Sequence, residues 1–173
     1  MASATLERIS KSAPPDLYEL ATRTRQLEDR LMVVDALHRF AAGQDLKDWD
    51  LFSSAFTDDA ELDFVQPAKR LGQTIDVFCG RDLIRETVSS TLSRLHTTHT
   101  VSNARVELDG DEARMLALVE AQHLRADDHK HHLLLKNFYW LQLRRSGDAW
   151  QIATMRIENV WLTGDPAVLF PSE

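Results

Sequence analysis

The spacing of hydrophobic residues changes near residue 95 of this chain. Before that point apolar side chains mostly recur every three or four residues, which is typical of amphipathic helices. After it they alternate with polar ones, which is typical of strands. Short polar turns interrupt the alternating half at Asp109-Gly110-Asp111, Ala126-Asp127-Asp128 and Ser146-Gly147-Asp148. Because such turns join antiparallel neighbours, the pattern predicts an α+β fold with helices first and a four-stranded meander after them.

The helical half is predicted to start with a long helix over 17–42, ended by Gly43. Its apolar stripe consists of residues three or four apart: Leu27, Leu31, Val34, Leu37 and Ala41. The remaining elements expected before the sheet are a helix over 47–56, a strand over 61–65, a loop over 67–76 and a helix from 80 to about 94. The four strands of the meander are expected over 98–108, 112–125, 131–145 and 150–162.

Several polar side chains fall on strand faces that are otherwise apolar. Residues two apart share a face, so His123 is expected among small apolar residues, and Asn137 and Tyr139 on the next strand are expected among leucines. On the last strand, Asn159 shares its face with Trp161. A buried polar group needs a partner, and a bound substrate is one such partner, so this face is a candidate ligand-binding surface.

Length and charge restrict the classes of protein considered. A chain of 173 residues suits one domain, predicted over 17–165, with a flexible arm over 1–16 and a tail over 166–173. The net charge of −7 disfavours binding to nucleic acid or an anionic membrane surface. No apolar run approaches the roughly 20 residues that span a bilayer, and no signal peptide is recognised, so a cytoplasmic protein is expected. The single cysteine, Cys79, excludes an internal disulfide and zinc motifs built on cysteine pairs.

Candidate chemistry centres on Asp45, His99 and His123. Histidine is suited to proton transfer at neutral pH, and a carboxylate bound to one ring nitrogen leaves the other as a base. Two alternatives remain open from the residues alone. Asp45 is also well placed to cap the helix expected over 47–56, and His123 would also serve as a hydrogen-bonded core histidine.

The run from His129 to His132 is the only local concentration of histidines. It falls at a predicted turn, and adjacent strand residues point to opposite faces, whereas a metal site needs three or four converging ligands. We therefore expect no metal site here, and no cofactor elsewhere.

Three segments carry a resemblance to a known family. They are Asp45-Leu46-Lys47-Asp48-Trp49-Asp50, Thr97-Thr98-His99 with Val106-Glu107, and Gln122-His123-Leu124-Arg125. Together with the order of elements, they resemble the SnoaL-like branch of the nuclear transport factor 2 (NTF2)-like superfamily over roughly residues 25–165, with local motifs most similar to those of scytalone dehydratase.

The resemblance implies a cone-shaped α+β barrel, with N-terminal helices packed on a curved antiparallel sheet. It also implies a cofactor-independent lyase that performs dehydratase-type β-elimination on a small hydrophobic hydroxy-ketone. His99 would be the base, Asp45 would orient it, and His123 would assist the leaving group or bind a carbonyl. The residues implied or indicated as substrate contacts are Asn137, Tyr139, Phe64, Asn159 and Trp161.

Two departures from scytalone dehydratase limit the prediction to a reaction class. Gln44 and Phe64 stand where that enzyme has tyrosines associated with a water that polarises the substrate ketone. An isomerase or cyclase of a polyketide or steroid-like substrate, and a non-catalytic ligand-binding module, remain alternatives on the same fold. A homo-oligomer, dimer or trimer, is expected because an open sheet leaves an apolar outer face to cover.

Overall fold

A long helix packs against one face of a six-stranded sheet in the computed structural model, which describes residues 16–170. The elements, in chain order, are α1 (Leu17–Leu46), α2 (Trp49–Ser54), β1 (Phe56–Asp63), α3 (Val65–Arg70), β2 (Phe78–Cys79), α4 (Arg81–Leu92), β3 (Leu95–Asp109), β4 (Glu112–Arg125), β5 (His132–Ser146), β6 (Ala149–Gly164) and a 3₁₀ turn (Pro166–Val168). The predicted arm over 1–16 lies, apart from Asp16, outside the described residues.

The sheet has the order β2-β1-β6-β5-β4-β3, and its last four strands form the predicted antiparallel meander. This confirms the α+β class. Two details differ from the expectation: β1 pairs parallel to β6, so the sheet is mixed, and its end strands do not pair, so the barrel is not closed. The parallel pairing joins segments distant in sequence, which local hydrophobic spacing does not report.

The prediction that Gly43 ends the first helix is wrong. The helix continues to Leu46, and Gly43 is buried where α1 crosses α2. A Cβ atom on Gly43 would lie 2.5 Å from the backbone nitrogen of Phe52, so glycine permits the close approach of the two helices. The chain leaves the helix at Lys47, which adopts the left-handed conformation with φ of 59°.

The predicted apolar stripe of α1 is buried only in its second half. Leu37 and Ala41 are in the core, whereas Leu27 and Leu31 are 64% and 71% exposed. Residues 16–28 are exposed throughout, so the first turns of α1 extend beyond the body of the domain. Helical spacing indicates which face of a helix is apolar. It does not indicate how much of that face the rest of the domain covers.

The segment between α2 and α4 also differs from its prediction. Phe56, expected at the end of a helix, starts β1 and pairs with Ile152. Part of the expected loop over 67–76 is helical as α3, whose first backbone N–H, from Val65, is bound by the Asp63 carboxylate at 2.9 Å. The Asp63 side chain thus satisfies one of the unpaired N–H groups at the start of a helix that hydrophobic spacing does not reveal.

The inner face of the meander agrees with the predicted parity except at Trp161. Lys136 pairs with Trp161 but Asn137 pairs with Asn159, so Val160 is an extra residue that forms a β-bulge. The bulge moves Trp161 to the outer face, where it is 46% exposed. The predicted pocket position of Trp161 is therefore wrong, because strand parity does not hold across a bulge.

After β6 the chain folds back onto the sheet. The predicted tail, as far as residue 170, contains the 3₁₀ turn, and Val168 and Leu169 are buried in a cluster with Leu133 and Leu135. Across residues 16–170, no helix is long and apolar enough to cross a membrane.

Candidate active site

Asp45 and His99 are joined by two hydrogen bonds. The Nδ1 atom of His99 lies 2.7 Å from Oδ1 of Asp45, and the backbone N–H of His99 donates to Oδ2 at 2.7 Å. Asp45 occupies the last turn of α1 and His99 lies on β3, where its side chain is only 2% exposed. With Nδ1–H donating to the carboxylate, the lone pair of the neutral ring is on Nε2, which is left as the proton acceptor.

The charge of Asp45 is supported from two sides. Burial disfavours the charged carboxylate, but the hydrogen bonds that Asp45 accepts from His99 outweigh burial and hold the pKa of Asp45 below its usual 3.8. The ammonium of Lys47 lies 3.4 Å from Oγ1 of Thr97, and its charge favours the Asp45 anion. Burial lowers the pKa of Lys47, while Asp45 opposes that shift.

The capping alternative for Asp45 is not what the structure shows. The cap of α2 is Asp48, whose Oδ1 accepts from the backbone N–H of Leu51 at 2.9 Å. Both oxygens of Asp45 are instead engaged by His99. Because Asp48 caps α2, both oxygens of Asp45 are available to bind His99.

His123 lies beside His99 in the interior. Their ring centroids are 5.8 Å apart and the ring planes are nearly perpendicular. Burial lowers the pKa of His123 from 6.5 to about 3, with a further contribution from His99, so His123 is neutral at neutral pH. Its buried Nδ1 has no hydrogen-bond partner among the described residues, which does not fit a fully satisfied core histidine.

A cavity of about 290 Å³ lies between the helices and the sheet and is bounded by both histidines. Most of its wall is apolar, with Phe40, Leu62 and Ile157 among the contributors. Its polar side chains are Gln44, Thr87, Thr91, His99, His123, Asn137 and Tyr139. Ligand pockets commonly measure about 300–1,000 Å³, so this cavity suits a small and largely apolar ligand with a few polar atoms.

Most of the predicted site residues converge on this cavity. Those that line it are His99, His123, Asn137, Tyr139 and Phe64. Asp45 holds His99 from behind, and Asn159 lies behind Asn137, donating from Nδ2 to its Oδ1 at 2.8 Å. Trp161 is on the opposite face of the sheet. The roles of these residues in binding and catalysis remain predictions.

Sequence reasoning missed several parts of the wall. Gln44 was noted only as a replacement for tyrosine, yet it is buried beside the cavity, with Nε2 donating to Phe40 O at 3.1 Å. Thr87 and Thr91 line the cavity from α4, and their four-residue spacing on an amphipathic helix was the available signal. Phe170 closes one side from beyond the last strand, where no periodicity predicted it.

The run from His129 to His132 does not form a cluster of ligands. Nε2 of His129 instead lies 3.0 Å from Nδ1 of His96 in an exposed pair, while Nδ1 of His131 lies 3.1 Å from Asp128. Among residues 16–170, no three His, Cys, Asp or Glu side chains are arranged to hold a metal ion.

One known protein family matches most of this domain. The family model of the SnoaL-like domain matches residues 25–156. This span contains the Asp45–His99 pair, His123 and most of the cavity wall. The chain belongs to the SnoaL-like domain family. A curated relative of this SnoaL-like protein is the terrestric acid biosynthesis cluster protein E of Penicillium crustosum, 30% identical over 152 residues, covering 84% of this chain and 92% of the relative.

Solved structures confirm the NTF2-like fold of this SnoaL-like domain. An NTF2-like protein with a cystatin-like fold from Novosphingobium aromaticivorans is 19% identical with a TM-score of 0.68, covering 84% of this chain and 90% of its own. A protein of the same organism named a putative scytalone dehydratase is 17% identical with a TM-score of 0.69, with coverages of 88% and 99%. A hexachlorocyclohexane dehydrochlorinase is 17% identical with a TM-score of 0.68, with coverages of 85% and 95%. At these identities the likeness shows the fold alone.

Proposed function

We propose that this SnoaL-like protein is a cofactor-independent lyase that performs dehydratase-type β-elimination on a small hydrophobic hydroxy-ketone. The observation that carries the proposal is the Asp45–His99 pair at the wall of a mostly apolar cavity. A histidine oriented by a partly buried carboxylate acts as a general base, and the surrounding apolar wall fits the carbon skeleton of the substrate.

In the proposed reaction, Nε2 of His99 removes a proton from the carbon next to the substrate carbonyl. The electron pair of the broken C–H bond moves to the carbonyl oxygen, and Asp45 stabilises the imidazolium that forms. The enolate then expels the hydroxyl group from the β-carbon. The imidazolium returns its proton to that hydroxyl, which leaves as water, so the products are a conjugated enone and water, and His99 is again neutral beside the Asp45 carboxylate.

His123 has a different role from His99 in this proposal. Because its low pKa keeps the ring neutral, His123 is not a source of protons at neutral pH, but a neutral imidazole donates an N–H hydrogen bond. Burial raises the pKa of Tyr139, so its hydroxyl also remains a donor. Donors on the cavity wall stabilise the negative charge that develops on the carbonyl oxygen.

The comparisons support elimination without choosing a substrate. Two neighbours in fold carry names that denote elimination, a dehydratase and a dehydrochlorinase. The relative from Penicillium crustosum is named for a biosynthesis cluster, which is consistent with a small-molecule substrate. These names describe those proteins, and the proposal for this chain depends on its own dyad and cavity.

An isomerase or cyclase is the second candidate. It is favoured by the same dyad, because His99 is able to return the proton to another carbon, and by the neutral state of His123, which offers no separate acid. Turnover in heavy water separates the reactions. Elimination releases water from the substrate, whereas isomerisation or cyclisation keeps the composition of the substrate and moves hydrogen.

The test incubates the protein with a panel of aromatic and alicyclic β-hydroxy ketones. Formation of the conjugated enone is followed by its absorbance. Wild-type protein is expected to form enone, His99→Ala to lose this activity, and Asp45→Asn to fall by about a hundredfold or more. His38→Ala, an exposed histidine on α1, is the matched control and should keep wild-type turnover. Full turnover by His99→Ala or Asp45→Asn contradicts the mechanism, and rearranged products in place of enone support the second candidate.

A further inference from the structure

Two asparagines form a buried pair at one wall of the cavity. Asn137 on β5 and Asn159 on β6 are partners in the sheet, and both are buried. Only Asn137 lines the cavity. Each amide carries one donor group and one acceptor, so the orientation of the pair decides which of the two faces a ligand.

The backbone fixes the orientation of Asn159. Its Nδ2 donates to the carbonyl oxygen of Trp161 at 2.9 Å and lies 3.3 Å from that of Lys136. Backbone carbonyls only accept hydrogen bonds, so a flipped amide would place oxygen against oxygen. Val160, the extra residue of the β-bulge, lies between Asn159 and Trp161. The bulge that turns Trp161 to the outer face is therefore adjacent to the Asn159 amide.

Helix α3 holds the backbone of Asn159 from the other side. The side chain of Gln66 accepts from the N–H of Asn159 at 2.8 Å and donates to its carbonyl oxygen at 3.3 Å. Nη1 of Arg70 donates to the same oxygen at 2.7 Å. Both the main chain and the side chain of Asn159 are therefore constrained.

The constraint passes from Asn159 to Asn137. Oδ1 of Asn137 accepts from Nδ2 of Asn159 at 2.8 Å, which directs Nδ2 of Asn137 away from its neighbour. That nitrogen is buried and has no hydrogen-bond partner among the described residues. The hydroxyl of Tyr139 is near enough for the amide to affect its pKa, but the pair does not meet hydrogen-bond geometry.

We propose that Asn159 is a positioning residue that sets the hydrogen-bond polarity of the cavity through Asn137. The wall then presents an N–H donor, and the group it selects is an acceptor oxygen, such as that of a ketone. A ligand hydroxyl oriented to donate is disfavoured at the same point. The inference deepens the proposed function, since it assumes that the cavity binds the ligand, but it concerns recognition and not proton transfer.

The first test uses wild-type protein and a ligand that has no leaving group. The chain contains three asparagines, Asn103, Asn137 and Asn159, so selective nitrogen-isotope labelling of asparagine gives three pairs of side-chain amide signals in an NMR spectrum. Titration with α-tetralone should shift the Asn137 amide most, whereas the hydrocarbon tetralin should shift it much less. Exposed Asn103 is the internal control. An Asn137 amide that responds equally to both ligands, or to neither at saturation, overturns the proposal.

The second test compares the dissociation constants of α-tetralone and the matching alcohol, α-tetralol, by the same titration. Wild-type protein should prefer the ketone by about tenfold, the effect expected of one hydrogen bond to a buried donor. Asn137→Asp should reverse the preference, because Asn159 still binds one carboxylate oxygen while the other faces the cavity. Asn159→Ala should bring the ratio close to one, because Asn137 is then free to rotate its amide.

Asn103→Gly is the matched control and should keep the wild-type ratio, since glycine adopts the left-handed φ of 54° at that position. A ratio that is unchanged in both Asn137→Asp and Asn159→Ala overturns the proposal. If Asn159→Ala does not fold, Asn137→Asp and the wild-type titration still decide the question. Because neither ligand undergoes elimination, normal ketone selectivity without turnover of any hydroxy-ketone would contradict the proposed reaction while leaving this inference in place.

Discussion

Asp45 and His99 are 54 residues apart in the sequence and share two hydrogen bonds of 2.7 Å. The carboxylate comes from the end of the long helix and the imidazole from the first strand of the meander. Any change that moves the end of α1 relative to β3 therefore changes the direction in which Nε2 points, even when neither residue is altered.

Gly43→Ala is expected to destabilise the protein, although alanine is the better helix former by up to about 1 kcal/mol. The new Cβ would meet the backbone of Phe52 at 2.5 Å and force α1 and α2 apart. Overpacking of this kind costs about 1–3 kcal/mol. Urea denaturation measures the free energy of unfolding, and an increase relative to wild type would show that the helix contact is not tight.

Asp29→Ala should lower the free energy of unfolding by about 1–3 kcal/mol, since it removes the buried carboxylate that binds Arg145 and leaves that arginine only its ion pair with the exposed Asp111. The carboxylate of Asp29 accepts from Arg145 at 2.7 and 2.8 Å and from the indole of Trp150 at 3.1 Å, which ties α1 to the end of the sheet. Asp35→Ala removes an exposed ion pair with Arg39 and should cost less than about 1 kcal/mol. Equal losses in the two variants would contradict the account.

The Asp29–Arg145 ion pair also predicts that the stability of the fold depends on pH in the acidic range. The hydrogen bond from Arg145 outweighs burial and holds the pKa of Asp29 below its usual 3.8. The folded state therefore binds fewer protons than the unfolded state, and this contribution is present above pH 3.8 and lost as the pH falls through the lowered pKa. Asp29→Ala should remove that part of the acid sensitivity.

His123 should destabilise the fold over a different range of pH. Its pKa is about 3 when folded and 6.5 when unfolded, so between these values only the unfolded chain gains the proton. Stability is then full above pH 6.5 and falls by up to about 1.4 kcal/mol per pH unit below it. His123→Gln should flatten this slope in denaturation curves recorded between neutral pH and pH 5, and an unchanged slope would contradict a buried neutral histidine.

The outer face of the sheet leads us to expect a homo-oligomer. Phe138, Trp140, Val160 and Trp161 are all exposed on β5 and β6. Sedimentation of the wild-type protein at micromolar concentration should show a dimer or trimer, and Trp161→Glu should shift it towards monomer. A wild-type monomer would contradict this prediction.

The sequence indicated the type of fold better than the details of its packing. Alternation found the four long strands because each buries one face, and it placed His123, Asn137 and Tyr139 correctly. It misplaced Trp161 because one extra residue at Val160 reverses parity, a feature of pairing and not of the strand itself. Gly43 was misread because its role depends on a second helix that passes within contact distance.

The candidate site was also predicted only in part from the sequence. Residue type and strand position singled out His99 and His123, but nothing in the spacing of the chain brings Asp45 to His99. The resemblance to a known family supplied that pairing, and the structure contains it. Gln44 and the threonines of α4 were missed because polar residues on helices are usually exposed, and only the packed domain shows that these border a cavity.

The most direct test of the account is the exchange of hydrogen for deuterium at the carbon next to the carbonyl of α-tetralone in heavy water, followed by NMR. This measures proton abstraction alone and requires neither elimination nor the natural substrate. We predict that wild-type protein and His38→Ala accelerate the exchange, while His99→Ala falls to the uncatalysed rate and Asp45→Asn falls close to it. Exchange that continues at the wild-type rate in His99→Ala would contradict the central claim that the Asp45–His99 pair is the base.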